Sequence, residues 1–180
     1  MPLQANDSLL EAKARENSIE SAGRVSARSN CVRRSVGAVL IRDGRVIAEG
    51  WNGVSVDFTD CREAGCPRCI NGGETGSGYE TCICIHAEQR AIADAARRGI
   101  ATSDCTMYVT LRPCLQCLAI SIAAGVKRIF YSGEEWEYPA EVESVYHVLS
   151  DQLETFERID KPRDSMISPI FRFIGRVRKP

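Results

Sequence analysis

The chain has 180 residues, 44% of them hydrophobic, and 23 Lys and Arg against 24 Asp and Glu give a formal net charge of -1. This is the size of one globular domain able to bury a core, and a mildly acidic balance excludes a global basic field for gathering nucleic acid. No stretch approaches the roughly 20 apolar residues of a membrane span, and the first residues lack the charged-then-apolar pattern of a signal peptide. The expectation is therefore a soluble, cytoplasmic protein that takes a small-molecule substrate, with no nucleic acid and no membrane as partner.

In chain order, residues 6–29 are rich in Ala, Glu, Arg and Ser and read as a helix, with Ser8 and Glu11 at capping-box spacing and Gly23 as a weak point. Two β-branched runs, 36–41 and 46–48, flank Asp43-Gly44 and read as a β-hairpin with a tight two-residue turn. The segment 52–84 is rich in Gly and Cys without periodicity, too long for an ordinary connection, so it should be functional or stapled by metal. Residues 86–98 carry apolar side chains at helical spacing and stop at Gly99. A short strand at 107–110, a helix from Pro113 to about Ala124 closed by Gly125, and a strand at 126–131 follow. A helix at 141–156 and a basic, strand-like tail at 170–177 complete the pattern. The order predicts a three-layer α/β/α sandwich, a central mixed sheet with helices on both faces. One domain is expected over 1–180, its core at about 18–133 and its divergent C-terminal extension at 134–180.

Nine cysteines and two histidines stand out. Disulfides fit poorly with an odd count and a reducing compartment. Cys105, just before an apolar strand, reads as a buried small hydrophobe. The other cysteines cluster more tightly than core filler would.

His86-Ala87-Glu88 and, after a helix and a strand, Pro113-Cys114-Leu115-Gln116-Cys117 carry the chemistry. Imidazole and thiolate ligands suit Zn²⁺, and three protein ligands, His86, Cys114 and Cys117, leave a fourth tetrahedral position open. Predicted helix N-termini favour anionic sulfur at Cys114 and Cys117. Glu88, two residues from the ligand, can reach the space beside the metal without binding it and move protons there. This is the signature of zinc-dependent deaminases, which attack an aminated base with an activated water while a Glu acts as general acid/base. The competing readings are a zinc that only braces the fold and a Glu88 on a solvated face.

At these residues the chain resembles the cytidine and deoxycytidylate deaminase superfamily, and within it the deoxycytidylate (dCMP) deaminase branch. The resemblance runs from about Ser29 to Tyr131 through Cys31-Val32-Arg33-Arg34-Ser35-Val36-Gly37-Ala38-Val39, Asn52-Gly53, Cys61, Glu63-Ala64-Gly65-Cys66, His86-Ala87-Glu88-Gln89 and Met107-Tyr108-Val109-Thr110-Leu111. It implies a cytidine-deaminase-like fold, a homo-oligomer, and hydrolytic deamination of a pyrimidine nucleotide, dCMP to dUMP plus ammonia. It also implies that Asn52 contacts the sugar and the Ala87 N–H the base. A second, structural zinc is implied as well, held by Cys31, Cys61, Cys66 and Cys82 with Cys69 and Cys84 as rivals. Four thiolates close a site and suit a staple.

The departures bear on substrate. Trp51 stands where Tyr is usual, Arg90 replaces a common Asn, and Arg112 precedes Pro113 near the metal. Arg112, Arg33 and Arg34 are each either phosphate contacts or surface residues. Beyond Tyr131 the pattern fades, and Trp136 or Tyr138 either stacks on the base or packs against the sheet. His147 and the charged runs at 134–137 and 172–179 read as surface. The alternatives are a repurposed deaminase of another aminated base, nucleoside or secondary-metabolite intermediate, and, more remotely, an inactive zinc-stabilised scaffold.

Overall fold

The computed structural model describes residues 3–55, 57–72, 76–134 and 136–159, the side chains of 3–9 apart. Its elements are α1 (Leu3–Ser26), β1 (Gly37–Arg42), β2 (Arg45–Trp51), α2 (Pro67–Asn71), a single 3₁₀ turn (Tyr79–Thr81), α3 (Ala87–Arg97), β3 (Thr106–Val109), α4 (Leu115–Ala123), β4 (Arg128–Tyr131), α5 (Ala140–Ser150) and β5 (Thr155–Arg158). The strands form one mixed sheet in the order β2-β1-β3-β4-β5. Pairs β1–β2 and β1–β3 are antiparallel, β3–β4 and β4–β5 parallel.

Strand alternation divides the side chains into two cores. Leu40, Met107 and Ile129 stand in register across β1, β3 and β4, and they share a face with Ala38 and Val109. That face is covered by Ala87, Ala91 and Ala95 of α3, Leu118 of α4 and Tyr146 of α5. Val39, Tyr108 and Phe130 point the other way, onto Ile19, Ala22 and Val25 of α1. Leu40, Met107, Leu118 and Ile129 are fully buried, each worth about 1.5–3 kcal/mol of transfer free energy. Helices on both faces of a mixed sheet are the architecture expected from sequence.

Close approach of helix to strand is set by two glycines. A Cβ on Gly37 would lie 2.0 Å from the Ala22 carbonyl oxygen of α1, and one on Gly50 would lie 2.0 Å from the Ala87 oxygen and 2.4 Å from the Ala91 nitrogen of α3. Gly50 thus lets the N-terminal turn of α3, which carries His86 to Glu88, press onto β2.

The hairpin turn is as expected, with Asp43 and Gly44 at φ 52° and 69°. The first helix begins earlier, at Leu3, so Ser8 is inside it rather than at its N-cap, and the Ser8 side chain lies outside the described residues. Pro113 precedes α4, whose N-cap is Cys114. The helix expected over 141–156 ends at Ser150, because Thr155 and Phe156 pair instead with the outer edge of β4. Phe156 there meets Tyr131 and Tyr146 at centroid distances of 5.0 and 5.8 Å, a gain of aromatic packing that a solvated helix end lacks. The expected strand at 170–177 and the basic residues to 179 lie outside the described residues. No helix among the described residues is long and apolar enough to cross a membrane.

Segment 52–84 leaves and rejoins the fold at one point. Gly53 and Ile85 exchange both backbone hydrogen bonds, at 3.0 and 2.9 Å, as an isolated antiparallel bridge. Inside, among the described residues, only α2 and the 3₁₀ turn are regular, and the buried centre consists of Val54, Cys61, Cys66, Cys69 and Cys84, with Cys31, Val32, Ala64 and Cys82 at its margin.

Candidate active site and cysteine lobe

His86 is the N-cap of α3 and Cys114 the N-cap of α4, while Cys117 lies one turn into α4. The ends of two adjacent helices therefore converge. Gln89 fixes the first by accepting the His86 N–H at 3.0 Å. The second is held from behind: the Tyr138 hydroxyl accepts the Leu115 N–H at 2.9 Å, and the Tyr146 hydroxyl donates to the Pro113 carbonyl at 2.9 Å. His86 Nδ1 sits 3.4 Å from Cys114 Sγ and 3.3 Å from Cys117 Sγ. Tetrahedral zinc with ordinary bond lengths requires N···S separations of about 3.5 Å, so the three donors fit that ion. Among the described residues no fourth protein donor joins this group.

The local electrostatics say the same. A hydrogen bond from Cys117 and the neighbouring imidazole, working against burial, hold the Cys114 thiol down at about 4. Burial disfavours charge on His86, but Cys114, Cys82 and Glu88 outweigh it and raise the ring to about 10. Cys117 is pushed well up by Cys114 and by burial. Three donors competing for protons in a dry site are relieved by one cation among them.

Glu88, the second residue of α3, is only 4% exposed. Burial first, and then the negative charge at Cys114, raise its carboxyl to about 7, with His86 opposing. A carboxyl poised near neutrality can both take and give a proton.

One cleft is lined by His86, Glu88 and Cys114 together with Asn52, Ala87, Tyr79, Leu111 and the arginines 33, 34, 68 and 112. Asn52 is buried, and its side chain ties the loop before β1 to the end of β2: Oδ1 accepts from the Ser29 hydroxyl and the Val36 N–H, both at 2.7 Å, and Nδ2 donates to the Arg34 carbonyl at 2.8 Å. Trp136 and Tyr138 are not among the cleft's walls. They pack edge to face on each other at 4.8 Å and against the turn at Gly76. The aromatic ring in the cleft is Tyr79, edge-on to His86 at 5.2 Å, a residue that sequence reasoning missed. Its aperiodic, Gly-rich surroundings give no pattern by which to find it.

Arg112 is neither a surface residue nor free for phosphate. It is buried and paired with both carboxylate oxygens of Glu143, and it donates to the Trp136 carbonyl at 2.7 Å. Arg90 is likewise spent on structure, donating to the Trp51 and Gly53 carbonyls at 2.7 and 3.1 Å. His147 is exposed and stands 3.6 Å from Glu143.

The remaining thiols behave as two sets. Cys105 is fully buried in the main core. Cys31, Cys61, Cys69 and Cys84 form one group with metal-ligand spacing, and Cys66, Cys69, Cys82 and Cys84 another. The four cysteines put forward from sequence are thus divided between the groups, Cys31 and Cys61 in one, Cys66 and Cys82 in the other, while Cys69 and Cys84 belong to both. Cys82 also touches the His86 ring, which joins lobe to active site. All nine thiols are free of disulfides.

Fold and site together define an α/β/α protein built around an open three-donor metal position with a buried acid beside it. The chain belongs to the cytidine and deoxycytidylate deaminase zinc-binding family, whose model matches residues 12–133. It is 40% identical over 113 residues to the deoxycytidylate deaminase of Schizosaccharomyces pombe, covering 63% of this chain and 35% of that protein. It is 35% identical over 142 residues to that of Saccharomyces cerevisiae, covering 79% and 44%. The chain thus spans less than half the length of either yeast relative. The crystal structure of dCMP deaminase from the cyanophage S-TIM5 in complex with dCMP and dUMP superposes with a TM-score of 0.57 at 25% identity, covering 79% of this chain and 94% of that one.

Proposed function

We propose that the chain is a zinc-dependent hydrolase that converts dCMP to dUMP and ammonia. The observation that carries this is the Glu88 carboxyl, buried in the cleft lined by His86 and Cys114, which form with Cys117 a group of three zinc-type donors. When bound there, zinc supplies a Lewis acid that makes water nucleophilic near neutral pH. Glu88 would take one proton from that water and give it to the ring nitrogen of the base, then take the proton of the newly attached hydroxyl and give it to the amine, which leaves as ammonia. The Ala87 N–H, in the first turn of α3 where backbone donors lack helical partners, holds the base. Arg33, Arg34 and Arg68 give the cleft the positive charge that a phosphate monoester needs. Asn52 reaches the sugar only through the N–H that does not serve Arg34, so its first task is to hold the loop that shapes the cleft.

Trp51 and Arg90, the departures that would support a different substrate, pack on each other, the guanidinium 4.9 Å from the indole centroid, and are not among the cleft's walls. They bear on the fold and lend no weight to another base. The cysteine lobe takes up zinc as a staple. The whole chain works as one deaminase domain, in a reducing, cytoplasmic compartment that keeps its nine thiols free. Copies associate through helical faces that leave Ile120, Val145 and Val148 exposed.

Ammonia release from dCMP, dCTP, deoxycytidine, cytosine, adenosine and guanine tests the reading. Turnover should be highest with dCMP and vanish in Glu88→Ala while zinc at the active site stays. Release from none of them, or release indifferent to Glu88→Ala, overturns it.

A further inference from the structure

The lobe brings six thiols together, and their arrangement is more specific than a single staple. Its two groups of four share one pair, Cys69 and Cys84, whose sulfurs lie 3.8 Å apart; Cys31 and Cys69 lie 3.9 Å apart. The edge of a tetrahedral zinc–thiolate site is about 3.8 Å. Each group therefore has the spacing of one ion's ligands, and the two tetrahedra meet along an edge. We propose that the lobe holds a binuclear zinc–thiolate centre, bridged by Cys69 and Cys84, with Cys31 and Cys61 completing one site and Cys66 and Cys82 the other. This deepens the staple proposed above and involves no catalytic group.

A single ion is a poor account of the same atoms. Whichever four cysteines it takes, two further thiols remain in contact with its ligands, in a centre whose other apolar partners among the described residues are Val54, Val32 and Ala64. Such a centre is too small to fold a segment of this length without strong bonds. Two dications and six thiolates leave two negative charges, and the surroundings supply donors for them. The Val32 N–H donates to Cys61 Sγ at 3.4 Å, and the backbone at Arg33 and Arg34 favours the thiolate form of Cys31. Arg33, Arg34 and Arg68 stand beside Cys31 and Cys84 in the cleft wall. The bridge also places Cys84 two residues before His86, so the staple is continuous with the backbone that delivers the active-site imidazole.

Metal counting decides it. Protein produced with ample zinc should contain three zinc ions per chain by elemental mass spectrometry, and Cys114→Ala, which empties the active site alone, should contain two. Loading Cys114→Ala with ¹¹³Cd should give two cadmium resonances split by coupling to each other through the shared sulfurs. X-ray absorption should show a metal–metal distance of roughly 3 Å, as two tetrahedra sharing sulfurs require. One ion in Cys114→Ala, or a single uncoupled cadmium resonance, overturns the binuclear centre and leaves the mononuclear staple. No ion, or a Cys66–Cys69 disulfide in the metal-replete protein, overturns both. None of these outcomes depends on turnover, so they are independent of the deaminase reading.

Discussion

The active-site group and the cysteine lobe are made from the same kinds of atom, a few residues apart, and differ in what completes them. His86, Cys114 and Cys117 are three donors on the ends of helices packed against the sheet, with the buried carboxylate of Glu88 in the first turn of one of them. The lobe has six sulfurs and, among the described residues, no carboxylate in their groups and no regular element in segment 52–84 longer than five residues. In the first, the fold itself positions the donors, which would leave a metal free to act; in the second, few regular elements position the sulfurs, and a metal would have to. Coordination that is incomplete reads as chemistry, and coordination that is complete reads as structure.

The largest expected effects come from exchanging these roles. Glu88→Gln should lower kcat by roughly 10²–10⁴-fold with little change in melting temperature or zinc content. Cys84→Ser should do the reverse in kind: a loss of several kcal/mol, seen as a drop of roughly 10 °C or more in melting temperature, and rapid proteolysis between Asn52 and Cys84. The pH dependence sharpens the contrast. Burial places the Glu88 carboxyl at about 7, so below that pH it is protonated and cannot act as base. The kcat/KM profile should therefore fall about tenfold per pH unit on the acid side of neutrality, and Glu88→Gln should abolish that limb. Equal losses of stability in the two variants would erase the distinction between the regions.

A second expectation concerns what holds the active-site helix in place without metal. Arg112 and Glu143 form a buried ion pair that fixes the segment before Cys114 against α5, and Tyr146, stacked 4.0 Å below the guanidinium, holds the Pro113 carbonyl. Arg112→Met leaves the half-buried Glu143 without its guanidinium partner, a loss of about 1–3 kcal/mol. Adding Glu143→Leu should restore much of it. Chemical denaturation of the two variants measures this. If Arg112 bound phosphate instead, the single variant would keep its stability and raise KM for dCMP.

How legible each region was in the sequence follows the same division. The three zinc-type donors and Glu88 were readable because they lie in short motifs on periodic elements, and the sheet because Val, Ile and Leu alternate over the hairpin and the later strands. Phe156 was misplaced in a helix, since only the outer edge of β4, a non-local feature, makes a strand of Thr155–Arg158. Trp136 and Tyr138 drew attention as aromatics near the fading end of the resemblance, while the ring beside His86 is Tyr79. Nothing local distinguishes a cleft tyrosine from a packing one. The cysteines were readable as a cluster with metal-binding potential by number, but their partition depends on how the 52–84 excursion folds back through the Gly53–Ile85 bridge, which no spacing rule records.

Tyr79 is where the two regions meet, and it carries the smallest expected effect. It rises from the lobe, its ring edge-on to His86 and covered on one side by the Arg68 guanidinium 4.4 Å from its centroid. Arg68 is in turn anchored by donating to the Ser77 carbonyl at 2.7 Å. An aromatic contact of this kind is worth about 0.5–1.5 kcal/mol, and Tyr79 touches His86 without belonging to the three-donor group. Tyr79→Leu should therefore leave zinc content and the acid limb of the pH profile unchanged. If the ring serves to bound the nucleotide cleft, KM for dCMP should rise several-fold at nearly constant kcat, the pattern of lost ground-state binding. A fall in kcat with unchanged KM would mean instead that the lobe sets the orientation of His86. The staple would then act on the reaction itself, and the division between a catalytic and a structural region would not hold.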